Sequence, residues 1–150
     1  MFWLAIMIHS LFMINHSGDV FMEKHWKSII PRSVCDYFFE VQRQVVKENK
    51  GPEDVPPIIA TPHHYLISIY RNSMFFVAVC MSEGNLVTPK WNLIQSNLYP
   101  VPPMFVIEFL HRVVDILEQY FNDCTESNIK EHYVVVYEVR FPKLIELEKN

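Results

Sequence analysis

The chain has 150 residues, which indicates a single domain large enough to bury a substantial hydrophobic core. Half of the residues are hydrophobic, 14% are aromatic and only 20% are charged, a composition that excludes a disordered tail. The net charge is −4 with neutral histidines and no basic run occurs, so nucleic-acid binding is not expected.

The first fourteen residues are apolar except for His9 and Ser10. This stretch lacks a basic region and a signal-peptidase site, and it is shorter than the about 18 apolar residues that span a bilayer. We therefore expect a buried strand over residues 7–14, preceded by six residues outside the core. Turn-forming residues at 15–19 are followed by Val20 and Met22, which begin a return strand that continues to His25 and Trp26, so this region predicts a hairpin.

A helix is predicted after Pro31, with Ser33 to Asp36 resembling a capping box. Apolar residues then recur at helical spacing and form one stripe: Val34, Tyr37, Phe38, Val41 and Val45. The run 49–52 (Asn-Lys-Gly-Pro) is a typical helix stop.

Three further strands are predicted at 58–59, 64–71 and 74–81, the last two joined by a short turn that makes them antiparallel neighbours. Residues 84–100 have no clear period and are interpreted as a loop. Pro102 and Pro103 then begin a helix that ends at Asn122, with an apolar face wide enough to be covered on more than one side.

Two interpretations are open for the segment that follows Thr125. Tyr133, Val135 and Tyr137 alternate as in a strand, whereas Ile129 and Val136 share a helical face with Tyr133. The run of β-branched residues favours the strand. The element order in either case predicts an α+β layered domain.

Residue patterns that would support catalysis or metal binding are not found. His63 and His64 are adjacent in a predicted strand and would point to opposite faces, so they could not readily share a metal ion. Cys35 lies near a helix N-terminus, but burial is the more ordinary interpretation, and no G-x-S-x-G or glycine-rich phosphate loop occurs. We therefore expect neither an enzyme nor a cofactor.

The remaining polar candidates have structural explanations. The three cysteines are odd in number and form no CxxC pattern, so we expect buried thiols in a reducing compartment: Cys35, Cys80 and Cys124. Four carboxylates are expected on solvated helix faces: Asp36, Glu108, Asp115 and Glu118. Glu108 should pair with Arg112 one turn later.

A candidate partner interface follows the second strand. Lys24 and Trp26 place a large aromatic side chain beside basic residues, and Ile29 and Ile30 follow. Aromatic anchors of this kind often dock a protein partner. The alternative is that Trp26 simply covers the edge of the sheet, and the sequence favours neither interpretation.

Five segments occur in order between residues 7 and 138: IHSLFMINHSGDVFMEKHWKS, SVCDYFF, TPHHYLISIYR, PPMFVIEFLHRV and YVVVYE. Together they resemble the mu (medium) subunits of adaptor protein complex 3. The resemblance is to the N-terminal domain of that subunit, which has a longin-like (SNARE-like) fold. It implies a five-stranded antiparallel sheet with one helix on one face and two on the other, and it makes the segment after residue 126 helical.

The resemblance also implies a function. The family is a heterotetrameric vesicle-coat adaptor that sorts cargo from Golgi and endosomes to lysosomes and related organelles. The expected partners are a large adaptor subunit and the other subunits, with a cytoplasmic location and peripheral membrane association through the complex.

The chain departs from the family at three places: residues 1–6 precede the usual start, residues 84–100 resemble an insertion, and residues 139–150 diverge. We expect a truncated last helix and no C-terminal cargo-binding domain, so recognition of tyrosine-based sorting signals is not expected. The alternatives are a stand-alone longin-type regulator that binds a small GTPase or SNARE, and a small enzyme that uses His63 or Cys35.

Overall fold

The computed structural model describes residues 8–26, 29–81 and 103–138. This part of the chain forms five strands and four helices, which are, in order, β1 (Ile8–Asn15), β2 (Val20–His25), α1 (Cys35–Lys47), β3 (Ile58–Ala60), β4 (His64–Arg71), β5 (Met74–Met81), α2 (Pro103–Phe121), α3 (Glu126–Glu131) and α4 (Tyr133–Glu138). The five predicted strands and both predicted long helices are confirmed. The predicted leader 1–6, insertion 84–100 and divergent tail 139–150 lie outside the described residues.

The strands form one antiparallel sheet in the order β2-β1-β5-β4-β3, so β2 and β3 are its edges. The turn between β4 and β5 contains Asn72 and Ser73, both with positive φ (54° and 61°). This is the backbone of a two-residue hairpin turn, whose twist matches that of the flanking strands. The register between β1 and β2 shifts between Met13 and Ile14, as at a β-bulge.

Helices cover both faces of the sheet. Phe12 and Ile14 of β1 and Phe75 of β5 pack with Phe38 of α1 on one face, whereas Leu11 packs with α2, α3 and α4 on the other. Strands covered on both faces carry nearly continuous apolar runs, which explains the sequence of β1 and β5. The predicted longin-like fold, with helices on both faces of a five-stranded sheet, is confirmed. One helix was expected after residue 126, but the structure divides this segment into α3 and α4, so three of the described helices and not two lie on the second face.

The segment after Thr125 is helical, so the strand favoured by its local pattern is wrong and the helix implied by the resemblance is correct. The Thr125 hydroxyl caps α3 by accepting a hydrogen bond from the Asn128 N–H at 3.2 Å. Ile129 and Val136 are fully buried at i, i+7 spacing, which a helix allows and a strand does not. Tertiary burial outweighs the strand preference of the β-branched run.

The predicted capping box at Ser33 is also wrong. Ser33 lies within a short 3₁₀ turn (Arg32–Val34), and α1 begins at Cys35 without a side-chain cap. The other end of α1 is well satisfied. Asn49 has φ 56°, and the N–H groups of Asn49 and Lys50 donate to Val46 O and Val45 O, which is the Schellman pattern.

Candidate partner interface

Lys24, the first predicted interface residue, is engaged within the chain. Its Nζ donates a hydrogen bond to the carbonyl oxygen of Tyr137 at 2.6 Å. It also lies 5.8 Å from the ring centroid of Trp26 and 5.6 Å from that of Tyr137, which is within cation–π range. Partial burial lowers the pKa of Lys24. Lys24 therefore connects the edge strand β2 to α4, the last helix of the described residues.

Trp26 follows β2 and is half-buried against the core cluster on the α2–α4 side of the sheet. Its indole ring meets Phe109 of α2 edge to face, with ring centroids 6.5 Å apart. Its backbone N–H donates to the carbonyl of His9, which extends the β1–β2 ladder by one bond. The structure therefore supports the interpretation that Trp26 covers the sheet edge, and it leaves part of the indole accessible.

Ile29 and Ile30 have opposite environments although they are adjacent. Ile30 is 7% exposed and belongs to the core cluster on the α1 side, whereas Ile29 is 81% exposed. Among the described residues, Ile29 is the most exposed of the large hydrophobic side chains. Of the four predicted residues, only Ile29 presents its apolar side chain almost entirely to solvent.

A second apolar surface, which the sequence prediction missed, lies on the outer face of α4. It consists of four exposed hydrophobic residues: Tyr133 (44%), Val134 (66%), Val135 (42%) and Tyr137 (50%). The two tyrosine rings stack with centroids 6.1 Å apart. The strand interpretation concealed part of this surface, because in a strand Val134 would share the face of the buried Val136, whereas in the helix Val134 is exposed. Contiguous exposed apolar surface of this kind commonly marks a protein contact.

The groups considered for chemistry are placed for structure. Cys35, Cys80 and Cys124 are free and buried as predicted, and burial raises their pKa values to about 12, about 12 and about 11. Such thiols are poor nucleophiles at neutral pH. His63 is exposed and His64 half-buried, and burial is the main cause of a lowered His64 pKa. Within the described ranges, no group of three or more His, Cys, Asp or Glu side chains could hold a metal ion.

The helix carboxylates form ordinary ion pairs. Asp115 and Glu118 of α2 both contact Arg71 at the end of β4, at 2.8 Å and 3.4 Å. The predicted pair between Glu108 and Arg112 is confirmed at 3.7 Å. In the part of the chain that the structure describes, no helix combines the length and apolar character needed to cross a membrane.

Comparison with known proteins gives a consistent result. The chain is 56% identical over 133 residues to AP-3 complex subunit mu-2 of Homo sapiens, an alignment that covers 89% of this chain and 27% of that protein. It is 53% identical over the same length to AP-3 complex subunit mu-1 of Bos taurus, with the same coverage. No family model matches the chain.

The chain spans only 27% of the length of these curated relatives. The high identity over 89% of the chain is nevertheless far above what a shared fold alone would require. The alignment is consistent with the five-stranded sheet expected for the N-terminal domain of a mu subunit. The family resemblance found in the sequence is therefore confirmed, and the chain is a relative of the AP-3 complex mu subunits.

Proposed function

We propose that this chain acts as a non-catalytic subunit-type module of a heterotetrameric vesicle-coat adaptor complex. Its role is in vesicle-mediated protein transport from Golgi and endosomes to lysosomes and related organelles. The observation that carries this proposal is the 53–56% identity to AP-3 complex mu subunits over 89% of the chain. Residues 1–150 are proposed to form a single domain with 7–138 as its family-like core, since both hydrophobic clusters of the described residues pack on one sheet.

A large adaptor subunit is the proposed direct partner, with the remaining subunits joined through it. Two apolar surfaces support a protein contact: the Ile29 side chain and the outer face of α4. Lys24 holds α4 against β2, next to the half-buried Trp26. Membrane association would then be peripheral and cytoplasmic, through the complex. The buried, high-pKa thiols also fit a role that involves no catalysis.

Co-expression with the trunk of an AP-3 large subunit, scored by co-purification, tests this proposal. Three aspartate variants locate the contact: Ile29→Asp, Val134→Asp and Val46→Asp. Val46 is the matched control, because it is 65% exposed whereas Val134 is 66% exposed, and it lies on α1 across the sheet. We expect the wild-type chain and Val46→Asp to co-purify with the trunk, and Val134→Asp and Ile29→Asp to be depleted.

Two outcomes would contradict the proposal at different levels. If the folded wild-type chain recovers no large subunit, the proposed adaptor function is wrong. A monodisperse chain that instead binds a small GTPase or SNARE would support the alternative, a longin-type regulator. If the wild-type chain binds but Val46→Asp is the variant that loses binding, the adaptor function stands and the contact surface is wrong. Circular dichroism of each variant establishes that it is folded.

A further inference from the structure

His25, at the end of β2, makes an unusual pair of hydrogen bonds through one ring nitrogen. Its Nδ1 lies 2.6 Å from Ser10 Oγ and 3.3 Å from the backbone nitrogen of Ile30. A backbone N–H can only donate, so we assign Nδ1 as the acceptor of a neutral ring whose proton is on Nε2, with the two donors sharing the single Nδ1 lone pair. The Ser10 hydroxyl, which is fully buried, then donates as well.

The His25 side chain is mostly buried, with 16% of its surface exposed. Phe12 of β1 meets it edge to face, with centroids 5.7 Å apart. Nε2 is buried and makes no hydrogen bond with any described residue, but Glu23 Oε1 lies 4.0 Å away. Glu23 is in turn bound by Arg32 at 2.9 Å. Lys24 lies on the opposite face of the strand, since neighbouring strand residues alternate.

Protonation of His25 would affect these contacts unequally. A proton on Nδ1 turns that atom into a donor, and the Ser10 hydroxyl can rotate to accept from it. The charged ring also gains a favourable interaction between Nε2–H and the Glu23 carboxylate. The Ile30 N–H has no such alternative, because it would face another N–H and lose its acceptor.

We propose that His25 and the Ile30 amide form a proton-sensitive latch: the neutral ring holds the segment that leads into α1, and protonation releases it. The Ile30 side chain is 7% exposed and contributes to the α1-side core, so release at Ile30 loosens the entry to α1. Among the described residues, the ionisable groups near this face include Glu23, Arg32, Asp36 and the Cys35 thiol. Burial is the main cause that raises the pKa of Cys35 to about 12, which keeps this thiol protonated. This latch is a property of the chain itself and does not depend on the proposed function.

Nuclear magnetic resonance of the full chain provides the test. The ¹⁵N shifts of His25 identify the tautomer and follow its titration, and amide exchange gives the protection of Ile30 after correction for the intrinsic pH dependence. We expect Nδ1 to be unprotonated at high pH. The Ile30 protection should fall roughly five- to thirty-fold with the same midpoint as His25, the cost of one lost hydrogen bond. The amide of Val77, in the central strand β5, should stay protected.

His25→Gln is the matched variant, because its side-chain amide oxygen can accept from Ile30 at every pH and carries no titrating proton. In this variant the pH dependence of Ile30 should disappear, whereas in the exposed-residue control His63→Gln it should remain. A protonated Nδ1 in the neutral state, or Ile30 protection that does not change while His25 titrates, would overturn the latch. The wild-type titration decides the matter even if His25→Gln fails to fold.

Discussion

Val134 and Val136 are two positions apart in α4, and the structure predicts that truncating them has different effects on the stability of the chain. Val136 is fully buried on the sheet side of the helix, whereas Val134 is 66% exposed. In a strand, the two side chains would share one face and respond alike; in a helix, they lie on opposite sides. Replacing each with alanine therefore tests both the packing of α4 and the helix assignment.

The expected magnitude follows from burial. Val136→Ala removes two methyl-sized groups at about 0.8 kcal/mol each, and a residual cavity raises the cost to about 2 kcal/mol. The better helix propensity of alanine offsets roughly 0.5 kcal/mol of this at either position. We therefore expect Val136→Ala to lower the free energy of unfolding by about 1.5 kcal/mol. Val134→Ala should change it by less than about 0.5 kcal/mol and weaken only partner binding.

Urea unfolding followed by circular dichroism measures the global effect of each change. Because α4 has only six residues, it could also open locally, so amide exchange across α4 is the complementary measurement. Equal losses for Val134→Ala and Val136→Ala would refute the helical packing. Val136→Ala that leaves both global stability and α4 exchange unchanged would show that the helix does not pack on the sheet through this residue.

Three further predictions concern a turn, the thiols and a carboxylate. Ser73→Gly should stabilise the chain by about 0.5–1 kcal/mol, because φ is 61° at this position and glycine adopts this conformation more readily than serine. Asn-Gly is also the preferred sequence for such a hairpin turn, and a lower melting temperature of the variant would contradict the prediction. The buried cysteines should resist a thiol reagent at neutral pH in the folded chain and all react in urea, so rapid labelling without denaturant would count against their burial. Hydrogen bonds from Lys130 and, to a smaller extent, Asn15 lower the pKa of Glu126 from its ordinary value of 4.5. The ionised carboxylate therefore stabilises the folded chain above pH 4.5, and this stabilisation is lost as the pH falls through the pKa of the folded state. Glu126→Gln should accordingly lower the melting temperature at pH 7 and converge with wild type in acid, unlike the exposed control Glu131→Gln; parallel curves would exclude the linkage.

The strands were predictable because local signals agree with tertiary burial. β1 and β5 are apolar runs bounded by turn residues, and their burial on both faces allows such a run without alternation. The segment 133–138 was not predictable from its pattern. Its β-branched residues favour a strand, and only the burial of Ile129 and Val136 against the sheet reveals which period applies.

The environments of the four residues proposed for the interface could not be predicted from the sequence. Lys24 and Trp26 suggested an exposed basic-aromatic surface, but α4 returns to β2 and its Tyr137 carbonyl, 113 residues after Lys24, takes the ammonium group. A local sequence pattern cannot reveal a contact between residues that lie so far apart in the chain. Ile29 and Ile30 present the same difficulty, because an irregular segment has no period that would assign one to the core and the other to solvent.

The organisation of β2 indicates how a partner can bind near it. An edge strand is ordinarily a template for adding another strand, and natural proteins protect such edges with charges, bulges or covering elements. All three protections occur here: Glu23 and Lys24 carry opposite charges, the β1–β2 register shifts near Met13, and Lys24 fixes α4 beside the strand. The accessible apolar groups are side chains, at Ile29 and on the outer face of α4. We therefore expect a partner to pack against side chains on either side of β2 and not to extend the sheet, so a bound partner should leave the amide exchange of Glu23 unchanged while it covers Val134.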